Sequence, residues 1–453
     1  MAAWMLNSGR LGVLASFRPT RSVWLISVTL LITTVLWAGA NQEVLGSAQL
    51  WPWRGLSQLL SLWSAALATL ALLSVLRSSA LEFLFGGLEQ GVELHRKLGL
   101  AALLAQVGHV LFLTAFFLSR GVDLERIFLP TVSNDRTPDI LFFYALLVLG
   151  VLAYNRTLRH ERWVRLHRVI GLLFIGGTVH SAMLSGVTHR YEPLRTWIVL
   201  LLLVSVLAWC YQVFLFRRFG PRFTYQVVSV TQRNKDIVDL IMRPTEKRMM
   251  YLPGTFVFIA LPSFKGKEKE LHPFSLSSSP TERNLRVSCK QVGDFTGQLM
   301  ALAPVEAGEA KFVEVYGPFG NFTPHRFAPY RRMVWVGAGI GITPFLGMTA
   351  FERSNNDFRR IWLYYSVHSP EDAVYDQELK DNVERADSYI DYTLWLSGAQ
   401  GRLTAAKIVA DVELDDYAVM LCGTTAFVAS MASQFRALGL PAERIITENF
   451  QFR

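Results

Sequence analysis

Four histidines, His95, His109, His167 and His180, fall within or at the ends of long apolar runs. An ionisable side chain is costly in such a setting and is a functional candidate by default. Fourteen residues separate His95 from His109, a helical rise of roughly 21 Å that returns the side chain to within about 40° of its starting face. Thirteen separate His167 from His180, nearly the same depth. If both helices run the same way, His95 and His167 share one level and His109 and His180 the other. Two imidazoles facing each other at each level are what a helix bundle uses to hold an iron porphyrin by both axial positions. In an ideal helix the thirteen-residue step turns the side chain about 140° away. The second helix is therefore expected to deviate, with Gly171, Gly176 and Gly177 supplying the freedom. His189 would lie beyond the apolar core on the outer surface, and His160 sits in an arginine-rich loop.

The elements that must hold these histidines follow from hydropathy. The chain has 453 residues, 51% hydrophobic and 12% aromatic, with a mean hydropathy of +0.28, which is too apolar for an ordinary soluble protein. Long charge-poor runs fill residues 23–216, and residues 220–453 have globular composition. Six runs approach the ~20 residues needed to cross a bilayer: Val23 to Ala40, Leu59 to Leu76, Leu98 to Leu118, Ile140 to Tyr154, His167 to Ser185 and Trp197 to Phe216. The fourth is the shortest. Basic residues gather at Arg10, Arg18 and Arg21, at Arg96 and Lys97, from Arg156 through Arg159, Arg162, Arg165 and Arg168, and at Arg217, Arg218 and Arg222. All fall on one side of a six-helix arrangement, and the positive-inside rule makes that side the cytoplasm. A rival reading, in which the first run is a cleavable signal peptide ending at Ala38–Ala40, leaves the remaining topology unchanged.

The net charge of +9 is concentrated at these membrane edges. It therefore reads as topology signals beside lipid headgroups, with no nucleic-acid partner. Three distant cysteines, Cys210, Cys289 and Cys422, show no metal-ligand spacing and argue against a disulfide framework.

From Phe223 the pattern has period two. "TYQVVSVT", "DIVDLIM", "TFVFIAL", "NLRVSCK" and "AKFVEVYGPFG" read as strands of a small antiparallel β-barrel. From Arg331 strands alternate with helices, which implies a parallel sheet covered on both faces. Gly337, Gly339 and Gly341 end the first of these strands where a helix begins, the place where backbone amides meet a pyrophosphate. The spacing is GxGxG and is weak by itself.

"HPFSLSSSP", "VGDFTGQL", "YGPFG", "VGAGIGITPF", "LCG" and the ending "ENFQFR", with the paired histidines, resemble the NADPH oxidase and ferric reductase family of transmembrane flavocytochromes. The resemblance runs from about residue 58 to the C-terminus. It implies a multi-domain chain: residues 1–22 a cytoplasmic segment, 23–218 a six-helix transmembrane bundle with two b-type haems, 219–328 an antiparallel β-barrel FAD domain, and 329–453 an α/β NAD(P)H-binding domain. The last two would form a ferredoxin-reductase-like module.

Carried onto matching positions, His272, Pro273 and Phe274 would pack and orient the flavin, Ser275 would hydrogen-bond near its reactive nitrogen, and the serines after it are compatible with a polar ring edge. Lys290, Gly293, Phe295, Thr296 and Gly297 would grip the FAD pyrophosphate. Gly339, Ile340, Gly341, Thr343 and Pro344 would form the nicotinamide nucleotide loop, with Cys422 and Gly423 beside the nicotinamide. Phe450 would cover the flavin, although the chain continues as "QFR" and Phe452 competes for that role. Ser366, His368 and Arg402 are candidates for the 2′-phosphate, which favours NADPH over NADH. His95, His109, His167 and His180 would ligate the two haems.

The implied activity is electron transfer from cytoplasmic NADPH through FAD and two haems to an outer acceptor, dioxygen giving superoxide. Arg54, Arg120, His189 and Arg190 are the outer groups that could attend it. Alternatives are a ferric-chelate reductase and an electron-supplying membrane subunit for an extracytoplasmic partner protein. The expected location is the cell inner membrane, multi-pass, with the dehydrogenase half cytoplasmic.

Overall fold

In the computed structural model residues 20–448 are described, apart from 43–52, 132–135, 155–159, 184, 261–270, 292–295, 298, 300–310, 328, 353–358, 385–388 and 413–415. The chain divides into two compact units, Pro19–Arg218 and a second that includes Phe219–Arg453.

The first unit is helical. Its main helices are α1 (Thr20–Ala40), α2 (Trp53–Ser74), α3 (Leu88–Leu118), α4 (Thr137–Ala153), α5 (His160–Met183) and α6 (Glu192–Cys210). Five of these are long and apolar enough to cross a membrane, and α4, at 17 residues, is a shorter apolar helix. Where six spans are expected from the sequence, five helices among the described residues have the length and apolarity to cross a membrane, and α4 falls short of that length. The third span begins ten residues before the expected Leu98, because the polar turns carrying Glu89, Glu93, Arg96 and Lys97 continue the helix outside the apolar run. The last span passes through a π-helical turn, Tyr211–Leu215.

Small residues on α2, among them Ser57, Ser64, Ala65, Ala68 and Ala71, are buried and let α3 approach closely. The two helices run antiparallel in a seven-residue register. Ser57 pairs with His109, Ser64 Oγ donates to the Ala102 carbonyl at 2.9 Å, and Ala71 pairs with His95. Contrary to expectation, α5 stays α-helical throughout. Its glycines accommodate neighbours instead: a Cβ on Gly171 would lie 2.8 Å from Trp209, and one on Gly176 3.0 Å from Phe142.

The second unit opens with an antiparallel sheet of β1 (Arg222–Gln232), β2 (Ile237–Pro244), β3 (Phe256–Ala260), β4 (His272–Ser275), β5 (Leu285–Lys290) and β6 (Phe312–Phe319), in the order β4-β3-β6-β1-β2-β5. The sheet curls until its two edges meet. Leu276, just after β4, bridges Val287 on β5, and the Ser277 amide donates to the Arg286 carbonyl at 2.9 Å. Alternate residues such as Val227, Leu240, Val257, Val287 and Val315 point into one apolar core.

A parallel sheet follows, of β7 (Arg332–Ala338), β8 (Arg360–Val367), β9 (Ile390–Leu396), β10 (Ala418–Cys422) and β11 (Ile445–Glu448), in the order β11-β10-β7-β8-β9. Its strands are buried on both faces, one under Trp335, Phe345 and Tyr365, the other under Val334, Tyr417 and Phe435. The intervening helices include α7 (Thr343–Glu352), α8 (Asp376–Glu384), α9 (Ala405–Val412) and α10 (Thr425–Ala437). The chain builds outward from β7 to β9 and then returns to β10. Ligands of such sheets bind at this reversal, beyond the carboxyl ends of β7 and β10.

Candidate functional site: paired histidines and a buried carboxylate at the strand reversal

In the helical unit His95 and His167 face each other, Nε2 to Nε2, at 3.3 Å. His95 Nδ1 lies 2.8 Å from the Ala71 carbonyl, to which it can only donate, and this fixes the tautomer that presents a bare Nε2. Among the described residues the buried His167 Nδ1 has no hydrogen-bond partner, and its ring is instead stacked on Trp163, 4.8 Å between centroids and 10° between planes. One helical span away, His109 Nδ1 lies 2.8 Å from the Ser57 carbonyl and 2.9 Å from its hydroxyl. His180 Nδ1 lies 3.3 Å from Asp139 Oδ1, on the first turn of α4. His180 and Asp139 are both near enough to His109 to act on it electrostatically. Each expected pair draws one residue from α3 and one from α5, and the His95–His167 pair is in direct contact. Between them runs a cleft lined by Ser61, Ser64, Gln106, Phe142, Phe174 and Gly177. His189 is exposed, its Nε2 2.6 Å from the Met183 carbonyl.

This donor set fits a bis-histidine iron. Each level has two imidazoles, three of the four have the second nitrogen engaged, and metal–imidazole bonds of about 2 Å require the His95 and His167 rings to part by less than about 1 Å. Among the described residues no group of three or more His, Cys, Asp and Glu gathers as for another kind of metal centre.

In the second unit the site gathers at the strand reversal. Ser275 ends β4, Cys422 ends β10 and Glu448 ends β11, all three buried. Ser275 Oγ donates to Glu448 Oε1 at 3.0 Å, and Cys422 Sγ lies 3.5 Å from Oε2. Burial pushes the Glu448 carboxyl up to about 8, against the pull of those two hydrogen bonds. Glu448 was missed from the sequence. It lies 173 residues from Ser275, and the "ENF" of the C-terminal motif was the only signal that could have found it.

The nucleotide loop meets the same place. Gly339 has a φ of +56° and nothing within 4 Å of where a Cβ would stand, so the loop surface is open. A Cβ on Gly341 would lie 2.6 Å from the Cys422 carbonyl and from Gly423, so only glycine lets the two loops touch. A 3₁₀ turn, Gly339–Ile342, leads into α7, with Thr343 Oγ1 donating to the Ile340 carbonyl. Pro344 is buried in the first turn of α7. The amides at that helix start fit a pyrophosphate.

Around β4, an edge strand, His272 and Pro273 are half-buried and Phe274 is buried, so the strand end is open to a flat ring. Of the serines that follow, only Ser275 reaches the site. Ser277 Oγ pairs with Ser288 Oγ at 2.8 Å and with the Arg286 carbonyl, while Ser278 Oγ pairs with Tyr251 and accepts from the Arg286 amide. The backbone of Ser278 lies against α7, where a Cβ on Gly347 would stand 2.5 Å from its carbonyl oxygen. These hydroxyls satisfy one another in a buried seam, which is why the stretch uses small polar residues.

Lys290 is exposed at the end of β5, and Thr296 and Gly297 are half-buried beyond it. Gly293, Phe295, Phe450 and Phe452 lie outside the described residues. At the β8 and β9 ends His368 and Arg402 are exposed, whereas Ser366 is only 8% exposed and poorly placed for a phosphate.

Three family models match the chain: a ferric reductase like transmembrane component over residues 60–178, an FAD-binding domain over 222–321 and an oxidoreductase NAD-binding domain over 335–433. The first window holds His95, His109 and His167 and stops two residues before His180. The ferredoxin reductase component of 3-ketosteroid-9-alpha-monooxygenase from Rhodococcus rhodochrous is 26% identical over 226 residues, 49% of this chain and 63% of that protein. NADPH oxidase 1 of Mus musculus is 28% identical over 185 residues, 38% of this chain and 30% of that protein. The chain thus spans less than two thirds of either relative. The crystal structure of flavohemoglobin from Malassezia yamatoensis superposes with a TM-score of 0.51 at 16% identity, covering 92% of this chain and 98% of that one, a likeness of fold alone.

Proposed function

We propose that this chain, which belongs to the NADPH oxidase and ferric reductase family of transmembrane flavocytochromes, is an NAD(P)H oxidoreductase that carries electrons across a membrane to an acceptor on its outer face. The observation that carries this reading is the pair of histidine levels, with His95 and His167 facing each other at 3.3 Å and His109 and His180 one span away.

Bound FAD would accept two electrons together from the nicotinamide and release them singly, and two porphyrin irons would pass them on. The residues do the rest. The Gly339–Ile342 turn and the start of α7 receive the nucleotide phosphates, and the close approach of Gly341 to Cys422 and Gly423 shapes the nicotinamide end. Ser275 presents its hydroxyl at the end of β4, and Glu448, kept protonated near neutral pH by burial, holds a proton behind it. The helix α2 orients His95 and His109 through its carbonyls.

Arg96, Lys97, Arg162, Arg165 and Arg168 lie at the His95 and His167 end of their helices, which supports a cytoplasmic face there and a cytoplasmic dehydrogenase half. At the opposite end Arg54 and Arg120 lay their guanidiniums over Phe116, at 5.6 and 5.4 Å. Cations at that end suit dioxygen reduction to superoxide by stabilising the anionic product, and they suit an anionic ferric chelate as well. NADPH is the favoured donor, on the exposed His368 and Arg402, with NADH the alternative.

A reduced-minus-oxidised spectrum of purified protein should show b-type pigment at two porphyrins per chain. Fed NADPH, it should form superoxide. A preparation without pigment would overturn the reading, and ferrous iron released from a ferric chelate in place of superoxide would reassign the acceptor.

A further inference from the structure

The four histidines differ in what holds Nδ1. His180 has the Asp139 carboxylate at 3.3 Å. His109 has a carbonyl at 2.8 Å and a hydroxyl at 2.9 Å, both from Ser57. His95 has one carbonyl, that of Ala71, at 2.8 Å. His167 has none, and Trp163 fixes its ring by stacking. An imidazole that donates from Nδ1 becomes a stronger donor at Nε2, and the effect grows with the negative charge on the acceptor. A stronger donor stabilises the more highly charged oxidised metal and lowers its reduction potential.

We propose that Asp139 is a positioning residue for His180 which, with Ser57 behind His109, makes the His109 and His180 centre more reducing than the His95 and His167 centre. This rests on the bis-histidine reading above. Both ligands of the outer level carry the stronger partners, so the asymmetry adds within a level and does not cancel. Asp139 starts the short helix α4, and that start brings its side chain to α5 at the depth of His180. A lower potential at the outer centre holds the transferred electron in its most strongly reducing form next to the acceptor.

The test is a redox titration of the purified, pigment-bearing protein, followed by absorbance, with electron paramagnetic resonance of the oxidised form. The wild type should titrate in two steps. Asp139→Asn, which keeps an acceptor and removes the charge, should shift the sharing of the first electron about tenfold toward the lower-potential centre. It should alter one of the two low-spin signals and leave the other in place. Asp139→Glu should restore the wild-type titration. Ser57→Ala should move the same component by less. Full pigment with unchanged titration and unchanged signals in Asp139→Asn would overturn the proposal. If Asp139→Asn instead loses the outer pigment, Ser57→Ala decides: a shift confined to the lower-potential step supports the proposal and no shift overturns it. A wild type without pigment would instead sink the bis-histidine reading on which the proposal rests.

Discussion

In the helical unit, His95 and His109 turn their Nδ1 nitrogens to backbone carbonyls of a neighbouring helix. In the second unit, Ser275 and Cys422 turn to a buried carboxylate, and Asp239, fully buried on β2, is held by Arg233 Nε at 2.7 Å and by the Tyr375 hydroxyl at 2.8 Å. The difference follows from the surroundings. Between apolar helices a charged partner is expensive, and a carbonyl already bonded within its own helix still has a second lone pair to offer at no charge. Small side chains on α2 are what make that lone pair reachable. At the seam between the curled and the parallel sheets charge is tolerated because it is compensated. Arg286 Nη1 donates to Glu378 Oε2 at 3.0 Å, Nη2 to the other oxygen, and Nη2 also to the Ser277 carbonyl. The helical unit thus holds two of its four histidines by backbone carbonyls, whereas the second unit holds its seam by compensated charge.

The comparison breaks most sharply at the histidines. His109→Ala is expected to halve the porphyrin content and abolish reduction of an outer acceptor, while NADPH still reduces ferricyanide at the flavin. Loss of flavin reduction in that variant would mean that the two units do not work independently in this respect.

The next largest effect tests the charge network. Asp239→Ala removes the nearest partner of Arg233 and an acceptor of the Tyr375 hydroxyl, leaving Arg233 only the more distant Glu378 at 3.7 Å, and breaking a buried pair costs about 3–5 kcal/mol. The second unit should melt about 10 °C lower, with the spectrum of the histidine-bound pigment unchanged. If the variant melts as the wild type does, the seam is not held by charge.

Glu448 ranks third. Glu448→Gln should slow ferricyanide reduction by NADPH about 10²-fold, the scale of a lost proton-transfer group. Stability carries a second signature. The folded carboxyl keeps its proton up to about pH 8, and the unfolded one loses it near 4.5, so the folded state binds the extra proton in that window. Wild-type stability should therefore fall as pH rises from about 4.5 to 8. In Glu448→Gln this slope should vanish, and its persistence would assign it elsewhere.

How far the sequence reaches divides along the same line. The spans and strands are legible because their patterns, continuous apolar runs and strict alternation, are imposed by the surroundings of each segment. The histidine levels are legible because helical rise converts spacing into depth. What is not legible are pairings across distant segments. Nothing near Ser57 announces His109, since the partner is a carbonyl that every residue owns. Gly171 and Gly176 read as sources of flexibility, and in the structure they make room for Trp209 and Phe142 on a regular helix. Glu448 reads as the start of a terminal motif, and only the order of the parallel strands carries it beside Ser275.

The smallest effect sharpens the comparison within a single stretch. "HPFSLSSSP" places Ser275 and Ser277 two residues apart, both buried, yet one faces the carboxylate and the other the seam. Ser277→Ala removes one hydroxyl whose partners, Ser288 Oγ and the Arg286 carbonyl, retain other means of bonding, the latter through the Ser277 amide. The expected cost is about 1 kcal/mol of stability, with turnover unchanged. Ser275→Ala should cost at least as much stability, because it leaves the buried Glu448 Oε1 without its donor while Cys422 faces Oε2, and should add a clear loss of flavin reduction. Measured side by side by thermal melting and NADPH-dependent ferricyanide reduction, equal losses of turnover in the two variants would mean that the serines act together, and that the seam and the site are one network.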